Sequence, residues 1–576
     1  MLSLPAAVGF TLLAGLYLLY RLALPRPLPG IPYNAKSASR LFGDIPDLVS
    51  FISKGGNFVG WMADQQIKSN SVIRQVFIRP FGKPMVVLAD HRESREIMVY
   101  RADDFDRSKD VVKMLSPVVR TNQFAQPTGP QWKLHRRLVQ DTMSQAFLND
   151  VAAPSIYASF TRLIDLWNHK LDLAQGRPFS AADDLFHAAF DAVAAFTFGS
   201  SFPHSALKAQ VDGLSSLSTN DIAPGNIDDP VNFPTFDVDE SISSMIRLVD
   251  GIETAQSSPS PSLSWFVTKR SKWFRRARAV KDRCIRHEIE KAAASIKQTD
   301  GDASMPQERH AVDNIINREK KLAQKEGREP DFLANRIIDE LYGLILAGHD
   351  TTSTTMCWSV KLLAQYPEVQ NRLRDALLSA FPDAKADGRR SPTAREMMAT
   401  SVPYLDAVIE ETLRYRTTAP VGTRDAIRDT SILGHPIPKG TTVVWLVVSS
   451  GFLRPSLKVD ESKRTARAQE EMKNGLVREW DEDDVALFKP ERWLAPHSSG
   501  TGSVFDPNAG PSTPFGLGLR SCFGKRLAQI EMKIILTLLI WHFELLPCSE
   551  ELSGHEIRFA LTYKPQKSYV RLKKIA

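Results

Sequence analysis

A mainly α-helical chain with small β-sheets, an α+β organisation with one globular domain behind an N-terminal membrane helix, is the fold class this sequence predicts. Three observations carry the prediction. Residues 331–366 form one long helical pattern. The apolar positions Leu527, Ile530, Ile534 and Leu538 recur at helical spacing after a glycine-bent loop. Short β-rich runs, 72–78 with 84–88 and those within 432–448, are punctuated by Gly and Pro as hairpins are.

At 576 residues the chain exceeds the usual single-domain length, although large one-core folds reach this size. Its 43% hydrophobic and 24% charged content is that of a globular protein, and 36 prolines imply many loops. The net charge of +7 comes without a basic block interleaved with aromatics, which argues against a nucleic-acid partner. Cys284, Cys357, Cys522 and Cys548 are far apart, so a disulfide framework is not indicated and a reducing compartment is.

Residues 2–20 contain no charge and are mostly Leu, Ala, Val, Tyr and Phe. As a helix they would rise ~28 Å, enough for a bilayer core. Arg21 and Arg26 follow with no basic residue before, which keeps the C-terminal side in the cytosol. A cleaved signal peptide would need a basic start and a small-residue cleavage site. The reading is therefore an uncleaved anchor at 1–24, a proline-rich spacer at 25–32 and a globular domain at 33–576. Runs 72–78 and 84–88 flank Gly82-Lys83 as a hairpin. Residues 108–131, with Pro117, Pro127, Gly129 and Pro130, read as a loop. Trp132 and Arg136, four apart, share a helix face. Residues 183–199 are an apolar helix and 200–262 are loop-rich. Trp265, Phe266, Trp273 and Phe274 beside Lys269, Arg270, Arg275 and Arg276 form either an interfacial patch or the buried side of a helix.

Within 331–366 stands Ala347-Gly348-His349-Asp350-Thr351-Thr352. Glycine beside two β-branched hydroxyl residues is poor helix chemistry at a helix centre, and local rules broken in mid-element mark function. A groove there would place a carboxylate and a hydroxyl where protons can be relayed. His349, one step round from Asp350, is expected to bind no metal. Glu411 and Arg414, three apart on a helix starting near Tyr404, can pair. Residues 432–448 form a small sheet. Residues 454–484 are charged and poor in large apolar side chains, a solvated insertion with Trp480 as its anchor. Residues 559–563 read as one strand.

The chain is organised around Pro514-Phe515-Gly516-Leu517-Gly518-Leu519-Arg520-Ser521-Cys522-Phe523-Gly524. A glycine-bent loop delivers one sulfur to a fixed point and then enters a helix, whose free N–H groups favour a thiolate, so Cys522 is expected to ionise easily. Such a sulfur serves as a nucleophile, a zinc ligand or a haem ligand, or it is simply a buried structural cysteine. Zinc would want a second Cys or His at close spacing, and none lies near.

The pattern Phe515-x-x-Gly518-x-Arg520-x-Cys522-x-Gly524 resembles the haem-binding loop of the cytochrome P-450 family, with all five positions filled. Three further motifs resemble the same family in the same order, over nearly the whole chain from Pro27. The resemblance implies the cytochrome P-450 fold and haem b, with Cys522 as axial iron ligand and Phe515 shielding the sulfur. Gly518 and Gly524 would let the backbone approach the porphyrin. Arg520, Trp132, Arg136 and Arg424 would meet its propionates. Asp350 would be the acid and Thr351 the hydroxyl of an oxygen-activating helix. Glu411, Arg414 and Arg492 would form a buried ion-pair set. Thr418, Ala419, Pro420 and Val421 would line the substrate cavity, below the 108–131 loop.

What this implies functionally is a membrane-anchored monooxygenase. It would insert one oxygen atom of O2 into an apolar small molecule, by hydroxylation or epoxidation, in secondary-metabolite biosynthesis of a fungal kind. Electrons would come from NADPH through a flavoprotein reductase docking near Lys133, Arg137, Lys525 and Arg526. The location would be the endoplasmic reticulum membrane, with the catalytic domain in the cytosol. Two other classes remain on the residues alone: a haem-thiolate isomerase or dehydratase, which can dispense with the Asp350-Thr351 pair, and a non-catalytic haem sensor or carrier.

Overall fold

The long helical pattern of the sequence becomes the helix Asn335–Gln365, called the central helix below. It is buried along nearly its whole length, and it ends two residues before Pro367, which cannot continue an i→i−4 ladder. The computed structural model describes residues 4–258, 260–299, 310–498, 500 and 502–575. Its contacts fall into two units, each assembled from separate stretches of chain.

The larger unit comprises residues 109–418, 488–507 and 522–576 and contains the central helix. Helix Ala182–Phe198 packs along the central helix, and Gly348 is what permits it. A Cβ on Gly348 would lie 2.6 Å from Val193 Cγ2, so this glycine serves close helix packing. Helix Ala153–Ala174 packs on Ala182–Phe198 and on Lys525–His542, the helix that follows Cys522. Strands Phe543–Leu546, Tyr569–Lys574 and Phe179–Ser180 form a three-stranded antiparallel sheet.

The smaller unit comprises residues 1–108, 419–487 and 508–521. The expected hairpin is present as Ile73–Val76 against Met85–Leu88, with Ile73 opposite Leu88. Met85–Leu88 then runs parallel to Thr442–Leu446, followed by Val421–Ala426 and Phe105–Asp106, in a five-stranded sheet. The strands Met85–Leu88 and Thr442–Leu446 are buried at every position, as an inner parallel pair must be.

Several expectations are corrected. Residues 108–131 include a helix, Lys109–Leu115, and residues 200–262 include Ala206–Leu214 and the 17-residue helix Glu240–Gln256. Residues 559–563 are a hairpin tip between Ile557–Phe559 and Tyr563–Pro565. The charged insertion is not wholly solvated. Arg464 is fully buried and meets Asp90 at 2.8 Å, Glu93 at 3.1 Å and Glu461 at 2.8 Å, while Trp480 is buried and donates to Pro511 O at 2.9 Å. Of the patch at 265–276, Trp265 and Phe274 are core and Phe266 is exposed. The anchor forms a helix, Leu4–Ala23, with residues 1–3 outside the described residues. Among the described residues no helix is long and apolar enough to cross a membrane.

Candidate active site

The glycine-bent loop places Cys522 three residues before the helix Lys525–His542, where the Gly524 N–H points at its sulfur. Cys522 is exposed, whereas Cys357 is buried and Cys284 and Cys548 are half-buried. Protein atoms nevertheless surround it closely. Burial pushes its thiol up from the ordinary value, and the Gly524 N–H, Arg136 and Lys525 only partly oppose this. Surface exposure and crowding thus differ; exposure decides ligation, because a ligand needs an approach path to sulfur. The expectation that Cys522 ionises easily is corrected: helix N–H groups and two cations do not outweigh desolvation, so its thiolate requires a stronger positive partner. Gly524 borders open space, with no atom within 4 Å of where a Cβ would stand.

Helix Pro130–Val139 brings Arg136 and Trp132 to the same place. The Arg136 guanidinium lies 4.6 Å from the Phe523 ring centroid and 5.6 Å from that of Trp132. Burial lowers its proton affinity, and Cys522 and then Glu340 restore part of it. Next to Arg136, His135 donates through Nδ1 to Glu340 at 2.8 Å, and Glu340 also accepts from Gln123 N at 2.7 Å and Gln123 Nε2 at 3.0 Å. Asp339 takes Thr121 N at 3.0 Å and Thr121 Oγ1 at 3.1 Å. Two buried carboxylates of the central helix therefore hold residues 121–123.

At mid-helix, Thr351 Oγ1 donates to Ala347 O at 2.8 Å, so its own oxygen is left to accept. Asp350 is buried, taking Thr562 Oγ1 at 2.8 Å on Oδ2 and Lys564 Nζ at 2.5 Å on Oδ1, the latter as an ion pair off the hydrogen-bond direction. His349 faces elsewhere: it donates through Nδ1 to Ile345 O at 2.5 Å and packs edge-on against Phe186 and Phe190. Burial lowers its proton affinity, and among the described residues no group of side chains has metal-binding spacing. Thr352 Oγ1 donates to Glu531 Oε2 at 2.7 Å, and burial pushes the Glu531 carboxyl up to about 8.

That neutral acid has a consequence for stability. A carboxyl whose folded value lies above its unfolded value of ~4.3 favours folding most below that value. The contribution falls as pH rises towards about 8, at up to roughly 1.4 kcal/mol per pH unit. Glu531→Gln is expected to flatten the pH dependence of unfolding between pH 5 and 8; an unchanged slope in denaturant titrations would contradict it.

Glu411 is completely buried and accepts from Arg414 Nε and Nη2, both at 2.7 Å, Arg492 Nε at 3.2 Å, Lys489 N at 2.8 Å and Trp493 Nε1 at 2.9 Å. With five donors on two oxygens, Glu411→Gln leaves buried cations without their counter-charge. It is expected to cost about 3–5 kcal/mol, read by denaturant unfolding of the holoprotein.

The smaller unit brings the cations Arg107, Arg424 and Arg520 near one another, with Asp106 beside them. Burial holds the Arg107 guanidinium down to about 9, and Arg520 and Arg424 repel it further, with only Asp106 opposing. Arg107 Nε is buried with no protein hydrogen-bond partner, and Arg424 is nearly buried over the Trp445 ring at 5.4 Å. Three crowded guanidiniums call for anions. Gly518, at φ +67°, is required by the protein itself, since a Cβ would meet Met98 O at 2.2 Å. Phe515 is half-buried. Sequence reasoning found Arg424 and Arg520 but missed Arg107, which sits in no motif, and missed Lys564, Thr562 and Glu531.

Each unit carries chemistry suited to a haem: the larger has an accessible sulfur with cations beside it and a glycine open to a flat ligand, and the smaller has guanidiniums suited to carboxylates. That chemistry defines a haem-thiolate protein. Comparison agrees. The sequence profile of the family described as Cytochrome P-450 matches residues 73–451 and 480–570. The chain is 39% identical to the cytochrome P-450 monooxygenase TRI13 of Fusarium sporotrichioides, over 97% of each chain. It is 38% identical to the cytochrome P-450 monooxygenase xilC of Penicillium rubens, over 98% of this chain and 96% of that one. A crystal structure of the haem domain of cytochrome P-450DA superposes with a TM-score of 0.66 at 17% identity, covering 96% of this chain and 99% of that one. The chain belongs to the cytochrome P-450 family, and it is a monooxygenase.

Proposed function

We propose that this protein inserts one oxygen atom of O2 into an apolar small molecule, by hydroxylation or epoxidation, in secondary-metabolite biosynthesis. The observation that carries the reading is the Thr351 hydroxyl bonded at 2.8 Å to Ala347 O, adjacent to buried Asp350. When bound, haem supplies the iron that takes up O2 and two electrons, sending one oxygen to substrate and the other to water. The chain's own work is to hold and supply the two protons that water requires. Thr351, with its proton committed to Ala347 O, accepts a hydrogen bond from water and orients it. Asp350 is the titratable group from which that water is resupplied. In the larger unit Cys522 would hold the haem iron and Arg136 would offer a cation to a propionate; in the smaller unit Arg107, Arg424 and Arg520 have the charge that propionates call for. Incubation with reductase, NADPH and ¹⁸O2 tests the reading: product carrying one ¹⁸O is expected, and an unlabelled, rearranged or dehydrated product would replace it with isomerase chemistry.

Electrons from NADPH arrive in this reading through a flavoprotein reductase at Lys133, Arg137, Lys525 and Arg526, all exposed. The protein sits at the endoplasmic reticulum membrane with its catalytic domain in the cytosol. Supporting this, Leu12, Leu13, Leu16, Leu18, Leu19 and Leu22 are all exposed on the N-terminal helix. A second apolar face, Leu263, Phe266 and Val267, is exposed on Pro261–Thr268, with Arg270 stacked 3.6 Å above Phe266. Deleting residues 1–26 is expected to weaken sedimentation with membranes and leave haem content unchanged. Loss of haem in the truncated protein would instead make the segment structural.

A further inference from the structure

Asp350 does not stand alone at mid-helix. Thr562 has one proton and gives it to Asp350 Oδ2, so the 2.8 Å contact between Thr354 Oγ1 and Thr562 Oγ1 must have Thr354 as donor. The two hydroxyls thus form a chain in which Thr354 donates to Thr562 and Thr562 donates to one carboxylate oxygen. The other oxygen faces Lys564, which lies on the hairpin strand Tyr563–Pro565 and has a side chain 27% exposed, against 1% for Asp350. A second carboxylate waits outside. Glu253, on helix Glu240–Gln256, has Oε1 at 4.0 Å from Lys564 Nζ, and its Oε2 is held at 3.3 Å by Arg558, which is 70% exposed. The Phe186 ring centroid lies 5.6 Å from the ammonium.

We propose that Lys564 is a positioning residue that moves between two seats, Asp350 inside and Glu253 outside, and so controls when Asp350 exchanges a proton with solvent. This rests on the reading of Asp350 as the proton-supplying acid. With Lys564 inside, Asp350 is an ion-paired carboxylate and its Oδ1 is closed to water. With Lys564 on Glu253, Oδ1 opens; Asp350 takes a proton from solvent water, hydroxide is left to the bulk buffer, and the proton passes inward as Asp350 returns to its carboxylate. No electrons move in this step. The lysine charge stays neutralised in both seats, and the proton taken up by Asp350 neutralises the buried carboxylate that the lysine leaves behind.

Two measurements test it. In the resting holoprotein, the rate of Lys564 acetylation by an N-hydroxysuccinimide ester is followed by peptide mass spectrometry. Glu253→Gln removes the outer seat and is expected to slow labelling about tenfold, the scale of one charge-assisted contact; Asp350→Asn removes the inner seat and is expected to speed it. Equal rates in the two variants would overturn the proposal. In turnover, Glu253→Gln is expected to lower product per NADPH and raise the solvent deuterium isotope effect, but to have no further effect in a Lys564→Met background. A Glu253→Gln defect of the same size in both backgrounds would make Glu253 merely structural and sink the two-seat idea. Full coupling in Asp350→Asn would instead refute the proton-supply reading beneath it. An uncoupled Asp350→Asn with unaltered Glu253→Gln and unchanged labelling would remove Lys564 alone.

Discussion

Cys522→Ala is expected to abolish the red-shifted Soret band of the reduced carbon-monoxide adduct and all monooxygenase turnover. Of the four cysteines only this one is exposed, on a loop with two glycines before it and a helix after it. Cys357 is buried, and burial pushes its thiol up to about 11, as it does that of Cys284. Neither has a cation set like Arg136 and Lys525 beside it. Changed singly to serine, Cys284, Cys357 and Cys548 are expected to leave the band in place. A thiolate-type band surviving in Cys522→Ala would refute the assignment outright. Because the Cys522 thiol is itself pushed up by its surroundings, its ionisation is expected to follow metal binding, and haem uptake should release a proton.

Thr351→Ala and Asp350→Asn are expected to uncouple NADPH consumption from product. In the first variant the donor to Ala347 O is gone, and with it the oxygen that orients water at mid-helix. In the second, the acid at the end of the Thr354–Thr562 hydroxyl chain becomes an amide that cannot take up a proton. Positioned acid–base groups are worth ~10²–10⁴-fold, so product per NADPH should fall by at least about tenfold, with hydrogen peroxide accounting for the lost electrons. Haem content should hold, since neither residue belongs to the cation or sulfur sets. Full coupling in both variants would reduce this cluster to helix packing.

The two kinds of variant probe features that were unequally legible. Cys522, Gly518 and Arg520 lie within five residues, and a loop that must bend and deliver a side chain writes its demands locally. The helix Glu240–Gln256 is equally local, yet by sequence its segment reads as loop-rich. Its buried Ile242, Met245, Leu248, Val249, Ile252 and Ala255 keep helical spacing, but the Pro, Gly and Asp clusters before it and the Ser/Pro cluster after it dominated the segment. Gly348 is legible as a break in helix chemistry, but its packing task is not. Whether a bare Cα opens a groove or admits a neighbour depends on what lies opposite, and here that is Val193.

By itself, then, the sequence determined the family, the glycine-bent cysteine loop, the central helix carrying Asp350 and Thr351, and the Glu411–Arg414 pair, because each is a short-range pattern. Only the tertiary structure decided the partners. Arg107 meets Arg424 across more than three hundred residues of chain, Lys564 reaches Asp350 across more than two hundred, and Thr352 donates to Glu531 across 179. The direction of the Cys522 and Glu531 shifts was decided there too. Desolvation depends on how many atoms surround a group, and no spacing along the chain records that number.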